Sequence, residues 1–288
     1  MKNILPALLI TAAFLFQQCT SGETHPKTTL AVPAEKDTTT TVASPTPTDT
    51  KHAIDDAATI MARKEIPVLC YHHIRNWKPN ERASMKDYIV QVADFKAQMK
   101  ALADSGYHTI SPDQLYNYLT TGAALPSKPV VLTYDDTDEE QYSIAAPEMD
   151  KYGFKGVYFI MTISIGRPNY MTKEQIKELA DKGHTIGGHT WDHHDVRKYE
   201  GEDWDKQFTT PKEKLEAITG KPVNYFAYPF GAWNERAIPE LNKRGYIAAF
   251  QLSTKRDPQQ PLYTVRRILV AGTWSVPTLM RAMNNSFH

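Results

Sequence analysis

The chain is poor in the features that would assign it a class at a glance. Cysteine occurs only as Cys19 and Cys70 in 288 residues, far apart and in unlike surroundings, so no disulfide framework is available to hold the fold. Charge of one sign is not in excess. Lys+Arg and Asp+Glu both total 33, which removes the bulk basic charge expected of a nucleic-acid partner. The early apolar run from Ile4 to Phe16 is too short to cross a bilayer. No internal repeat is visible, and no glycine-rich phosphate loop follows a strand. An apolar fraction of 41% nevertheless supports a sizeable core.

Lys2 followed by that apolar run has the shape of an export signal. It ends Leu15-Phe16-Gln17-Gln18-Cys19 and resembles a lipoprotein signal, in which the cysteine becomes lipidated and N-terminal. Gln18 stands where that pattern has a small residue. The expectation is an exported protein of the cell envelope, periplasmic or at the cell surface, touching the membrane only through this anchor. Residues 20–60 are rich in Thr, Pro and Ser, with runs such as Thr38-Thr39-Thr40-Thr41 and Ser44-Pro45-Thr46-Pro47-Thr48. They hold too little apolar surface to fold and are expected to form a disordered tether. The working domain is expected over residues 61–288.

The domain is organised around Val130-Val131-Leu132-Thr133-Tyr134-Asp135-Asp136. A β-branched, apolar run is what a parallel strand covered on both faces looks like, and here it ends in two adjacent carboxylates. Six further strands are predicted, over 66–71, 156–161, 184–188, 223–227, 246–250 and 265–270. Helices are predicted between them. One spans Asp87 to Asp104, with Ile89, Val92, Phe95, Met99 and Leu102 at helical spacing. Ser111-Pro112-Asp113-Gln114 and Thr172-Lys173-Glu174-Gln175 each read as a capping box opening another. Strand–helix alternation of this kind means an α/β fold with a parallel sheet. The chemically loaded residues follow strands: His72 and His73 after the first, Asp135 and Asp136 after the second, and histidines after Ile186. Sites assembled from several strand ends favour a (β/α) barrel over an open sheet with one switch point.

Asp136 with His189 and His193 offers one carboxylate and two imidazoles, a donor set suited to a divalent transition metal with positions left for water and substrate. His194 is the alternative to His193. Asp135, adjacent but not ligating, is then the natural general base for a metal-activated water.

Thr133-Tyr134-Asp135-Asp136 resembles the Thr-Phe-Asp-Asp motif of the polysaccharide deacetylases, carbohydrate esterase family four. His189-Thr190-Trp191-Asp192-His193 resembles that family's second motif. Phe226-Ala227-Tyr228-Pro229-Phe230-Gly231 and Pro67-Val68-Leu69-Cys70-Tyr71-His72-His73 are similar to motifs of the subgroup that includes poly-N-acetylglucosamine deacetylases. The resemblance implies a distorted (β/α) barrel of about seven strands that hydrolyses N-acetyl groups from an amino-sugar polysaccharide. It implies Asp135 as base, zinc or a similar ion on Asp136, His189 and His193, and the Phe230 backbone N–H as an oxyanion donor. Three departures stand out. Thr137 replaces the usual glycine, tolerable only at negative φ. Ala227 replaces the arginine that holds the catalytic aspartate, and Arg267 either supplies that charge instead or is a surface arginine on an edge strand. The late Leu-x-x-His motif that provides the general acid is missing; His72 or His73 is the candidate for that role, the alternative being that they only cap the barrel mouth. Trp191, Tyr228, Trp233 and Trp274 are candidates for sugar stacking or for core packing. The competing expectation is a surface carbohydrate-binding protein that keeps the barrel without catalysis.

Overall fold

Residues Pro129–Asp135 are buried from Val130 to Asp135, and Gly156–Ile160 are buried throughout. No alternation of wet and dry side chains is possible in strands covered on both faces, which is why their sequences read as continuous apolar runs. The computed structural model describes residues 54–252 and 255–287. The expected signal, Cys19, most of the tether and His288 lie outside the described residues.

The strands, in chain order, are β1 Val68–Tyr71, β2 His73–Ile74, β3 Ile89–Val90, β4 His108–Thr109, β5 Pro129–Asp135, β6 Gly156–Ile160, β7 Thr185–Gly188, β8 Tyr225–Ala227, β9 Ala248–Phe250 and β10 Ile268–Leu269. Seven of them make the parallel path β10-β1-β5-β6-β7-β8-β9. These are the seven expected from sequence, and they curl into a distorted half-barrel with helices around it. Phe159 on β6 and Phe250 on β9 are separated by two strands in the sheet, yet their ring centroids are 5.3 Å apart. They fill the inside of the curl. Gly187 makes room for this, since a Cβ there would fall 2.5 Å from the Phe159 ring. On the other face Tyr71, Tyr134 and Tyr158 stack across three adjacent strands, with centroids 5.6 and 5.0 Å apart.

One segment serves both edges of the sheet. Ala249 N–H donates to Leu262 O, Val265 N–H to Ala249 O and Gln251 N–H to Val265 O, all within 3.0 Å; five residues on, Val270 N–H donates to Cys70 O on β1 at 2.9 Å. The run from 262 to 270 thus seams β9 to β1. Only Ile268 and Leu269 of the expected 265–270 strand form a ladder, because Val265 is spent on the other edge.

Both expected capping boxes form, at Ser111 and Thr172. The helix expected from Asp87 begins instead at Val92 and runs to Asp104. Ile89 and Val90, buried and β-branched, pair in parallel with His73 and Ile74. Their helical spacing was coincidental. The pairing of β4 with the start of β5 is too short to carry a sequence signal. Among the described residues no helix is long and apolar enough to cross a membrane.

Candidate active site

The period of two along a strand puts Thr133 and Asp135 of β5 on the inner face of the curl together with Val131. Arg267 meets them there. Its Nη1 and Nη2 donate to the two oxygens of Asp135 at 2.6 and 2.7 Å. Nη1 also donates to Thr133 Oγ1 at 3.1 Å and Nε to the Gln251 carbonyl at 3.2 Å. Arg267 is fully buried and Asp135 is 2% exposed, so Arg267 is no surface arginine on an edge strand. Burial alone would raise the Asp135 carboxyl, but the charge and hydrogen bonds of Arg267, together with His189, outweigh it and hold the group below its ordinary value. Cys70 adds a thiol, 3.5 Å from Asp135 Oδ2.

Asp136, His189 and His193 converge on one point. Asp136 Oδ1 is 3.3 Å from His189 Nε2 and 3.2 Å from His193 Nε2. His189 Nδ1 donates to the Ala227 carbonyl at 2.7 Å, which fixes the tautomer and leaves Nε2 facing the carboxylate. His189 Nε2 and Asp136 Oδ1 are both buried without a hydrogen-bond partner. Two buried acceptors in contact call for a cation between them, and one carboxylate with two imidazoles fits a zinc-like ion. The same carboxylates draw positive charge to this point. Burial works against a charged His189, yet the carboxylates of Asp135 and Asp136 outweigh it and raise its pKa. Burial brings His193 down to about 4, keeping that imidazole neutral and able to ligate. Asp136 is likewise held well below the usual carboxylate range by the histidines, against its own burial. His194 stands apart: its side chain is 75% exposed and its Nδ1 faces Asp192 Oδ1 at 2.9 Å.

The turn that carries these groups is strained. Thr137 adopts φ 75 and Asp136 φ 77, contrary to the expectation that threonine at 137 requires negative φ. Hydrogen bonds hold it there: Thr137 Oγ1 accepts from Met161 N–H at 2.8 Å, and Thr137 O accepts from Met171 N–H at 3.0 Å. Such a backbone costs on the order of 1–3 kcal/mol and persists where its surroundings over-determine it.

A cleft of about 280 Å³ opens over the cluster, lined among others by His72, Tyr88, Asp135, His193 and Phe230. His72 is 9% exposed, with Nδ1 3.9 Å from Cys70 Sγ. Burial lowers its pKa, with the two aspartates opposing. His73 turns to Asp138 and Glu140 instead, 3.0 Å from each. Phe230 sits at φ 61, is 65% exposed, and lays its ring 4.5 Å from that of His193. Of the aromatic candidates for sugar stacking, Tyr228 is fully buried and is core. The Trp191 ring faces Lys206, and Trp233 Nε1 donates to Gln251 Oε1. The exposed apolar lining of the cleft is Met85, Tyr88 and Phe230. Sequence reasoning passed over Met85 and Tyr88, which sit in the excursion between β2 and β3. It also passed over Gln141, a buried glutamine whose Nε2 donates to the carbonyls of His72 and Asp135 and ties the two strand ends together. A polar residue inside an apolar helix pattern was the available signal.

Fold and site together define a (β/α) barrel with a three-ligand cluster beside an ion-paired carboxylate at the C-terminal ends of its strands. The sequence pattern of the polysaccharide deacetylases matches residues 122–249. YxkH of Bacillus subtilis (strain 168), which carries the same family name, is 30% identical over 224 residues, covering 75% of this chain and 76% of that one. The poly-beta-1,6-N-acetyl-D-glucosamine N-deacetylase of Staphylococcus aureus is 26% identical over 245 residues, covering 76% and 84%. The Streptococcus pyogenes deacetylase PplD, solved in complex with acetate, superposes with a TM-score of 0.70 at 25% identity, covering 76% of this chain and 98% of that one. The chain belongs to the polysaccharide deacetylase family.

Proposed function

We propose that the protein is a metal-dependent hydrolase that removes N-acetyl groups from N-acetylglucosamine-containing polysaccharide. The observation that carries this reading is the pair of buried, unpartnered acceptors, His189 Nε2 and Asp136 Oδ1, next to the ion-paired Asp135. A divalent ion held by Asp136, His189 and His193, most simply zinc, would acidify water and polarise the acetyl carbonyl. Asp135 takes the proton of the attacking water. Oδ1 retains a lone pair beyond the one given to Arg267, whereas Oδ2 also faces the Cys70 thiol, and the lowered pKa keeps the carboxylate ionised at neutral pH. The Phe230 N–H steadies the developing oxyanion, a contribution of typically ~3 kcal/mol. His72 gives a proton to the leaving amine as the C–N bond breaks; burial, by lowering its pKa, makes it a stronger acid once charged. Acetate and a free amine on the sugar are the products.

The test is acetate release from an N-acetylglucosamine oligomer by the purified protein, with chelator and after return of zinc. Activity lost with chelator and restored by zinc is expected. Metal bound without acetate release would favour a carbohydrate-binding protein, and release only from non-sugar amides some other amidase. An envelope lipoprotein anchored through Cys19 completes the proposal: Cys19→Ser should move the protein out of the membrane fraction, and unchanged fractionation would reject the anchor.

A further inference from the structure

Beside the catalytic cluster lies a second convergence of ligating atoms to which the deacetylation reading gives no task. His73, the first residue of β2, meets Asp138 and Glu140 from the turn after β5. His73 Nδ1 is 3.0 Å from Asp138 Oδ2 and 3.0 Å from Glu140 Oε1. One Nδ1 can hydrogen-bond only one of the two carboxylates, and it is paired with Glu140 Oε1. Asp138, 4% exposed, is therefore left with Oδ2 buried and without a hydrogen-bond partner. The nearby cation does not relieve it, because Arg75 is taken up by both oxygens of Glu81, at 2.8 and 3.3 Å. Glu139 is also committed elsewhere, to Ser143 and Gln175. Two carboxylates thus converge on one imidazole with a ligand atom to spare.

The spacing suits an ion. Donors about 2.1 Å from a divalent cation and at right angles to one another lie about 3.0 Å apart. We propose that His73 Nδ1, Asp138 Oδ2 and Glu140 Oε1 form a second divalent-cation site, separate from the one on Asp136, His189 and His193. An NO2 donor set of this kind takes Mn2+, Zn2+ or a similar hard-to-borderline ion. On binding, the neutral imidazole carries its one proton on Nε2 and turns the Nδ1 lone pair to the ion, any second ring proton passing to solvent, while His73 at the cleft wall gives the ion its entry path. Such an ion clamps β2 to the turn that holds Asp136.

The probe is Mn2+ added to the metal-free, full-length protein, with unbound ion counted by electron paramagnetic resonance. Two bound ions per chain are expected, and one in Glu140→Gln, one in Asp138→Asn, and none in the double variant Asp136→Ala/Glu140→Gln. Circular dichroism establishes that each variant is folded, and Glu140, less buried than Asp138, is the safer change. One ion in the wild type, lost in Asp136→Ala but kept in Glu140→Gln, would overturn the proposal, as would two ions retained by Glu140→Gln. One ion kept in Asp136→Ala and lost in Glu140→Gln supports this site while rejecting the catalytic one.

Discussion

Arg267 and Asp135 stand 132 residues apart in the chain and meet as a buried, two-pronged ion pair, 2.6 and 2.7 Å between their atoms. Arg267 is fully buried and Asp135 meets the cleft with only 2% of its surface, so each charge depends on the other. Removing one partner of a buried pair strands the other charge, typically at about 3–5 kcal/mol. Arg267→Met is therefore expected to lower stability by that amount in a denaturant titration and to abolish acetate release. Arg267→Lys, which keeps the charge but cannot bind both oxygens, should fall between. A Met variant as stable as the wild type would show that the pair is not what holds Asp135.

The two adjacent aspartates are expected to separate in function. Asp135→Asn should keep the metal and lose turnover by about 10²–10⁴-fold, the usual worth of a general base. Asp136→Ala should lose both. Metal content by elemental analysis alongside acetate release reads the difference, and retained turnover in Asp135→Asn would sink the assignment of the base.

His193 and His194 make a sharper pair because they are neighbours. His193 Nε2 faces Asp136 Oδ1 at 3.2 Å while His194 points to Asp192. His193→Ala is expected to release the metal, and His194→Ala to leave metal content and acetate release within about twofold of wild type, as for exposed substitutions generally. Loss of metal in the second variant alone would reverse the ligand choice.

A pH effect on stability is expected far from the cleft. Burial brings His184 down to about 4, from about 6.5 in an unfolded chain, and its Nδ1 accepts from Gly156 N–H at 3.0 Å. Between these values the unfolded chain binds a proton that the folded one does not. The contribution is thus complete above pH 6.5 and declines as pH falls toward 4, by at most about 1.4 kcal/mol per pH unit. Urea midpoints at pH 7, 5.5 and 4.5 should converge between wild type and His184→Gln as the pH drops. Parallel curves would contradict it.

Much of the architecture was legible because its causes are local. The β5 run, the capping boxes at Ser111 and Thr172, and the motif histidines are each written within a few consecutive residues. What escaped depends on groups distant in sequence. Ile89 and Val90 satisfy a helical spacing, and only their partners His73 and Ile74 make them a strand. Thr137 read as a misfit for positive φ until Met161 and Met171 were seen to hold it. Arg267 was open to two readings in sequence, and its burial against β5 decided between them. His72 and His73 were indistinguishable as neighbours; Asp138 and Glu140, from another element, claim the second.

The seam formed by residues 262–270 sets a sequence of events as well as a shape. It holds the last strand among the described residues, and it brings Arg267 to an aspartate 132 residues earlier in the chain. Loop closure over so long a span is slow relative to the formation of local turns and helices. Until the seam docks, Asp135 has no guanidinium and the β9 and β1 edges stay unzipped. A chain cut short before Arg267 would carry every motif histidine and aspartate without the guanidinium that holds Asp135.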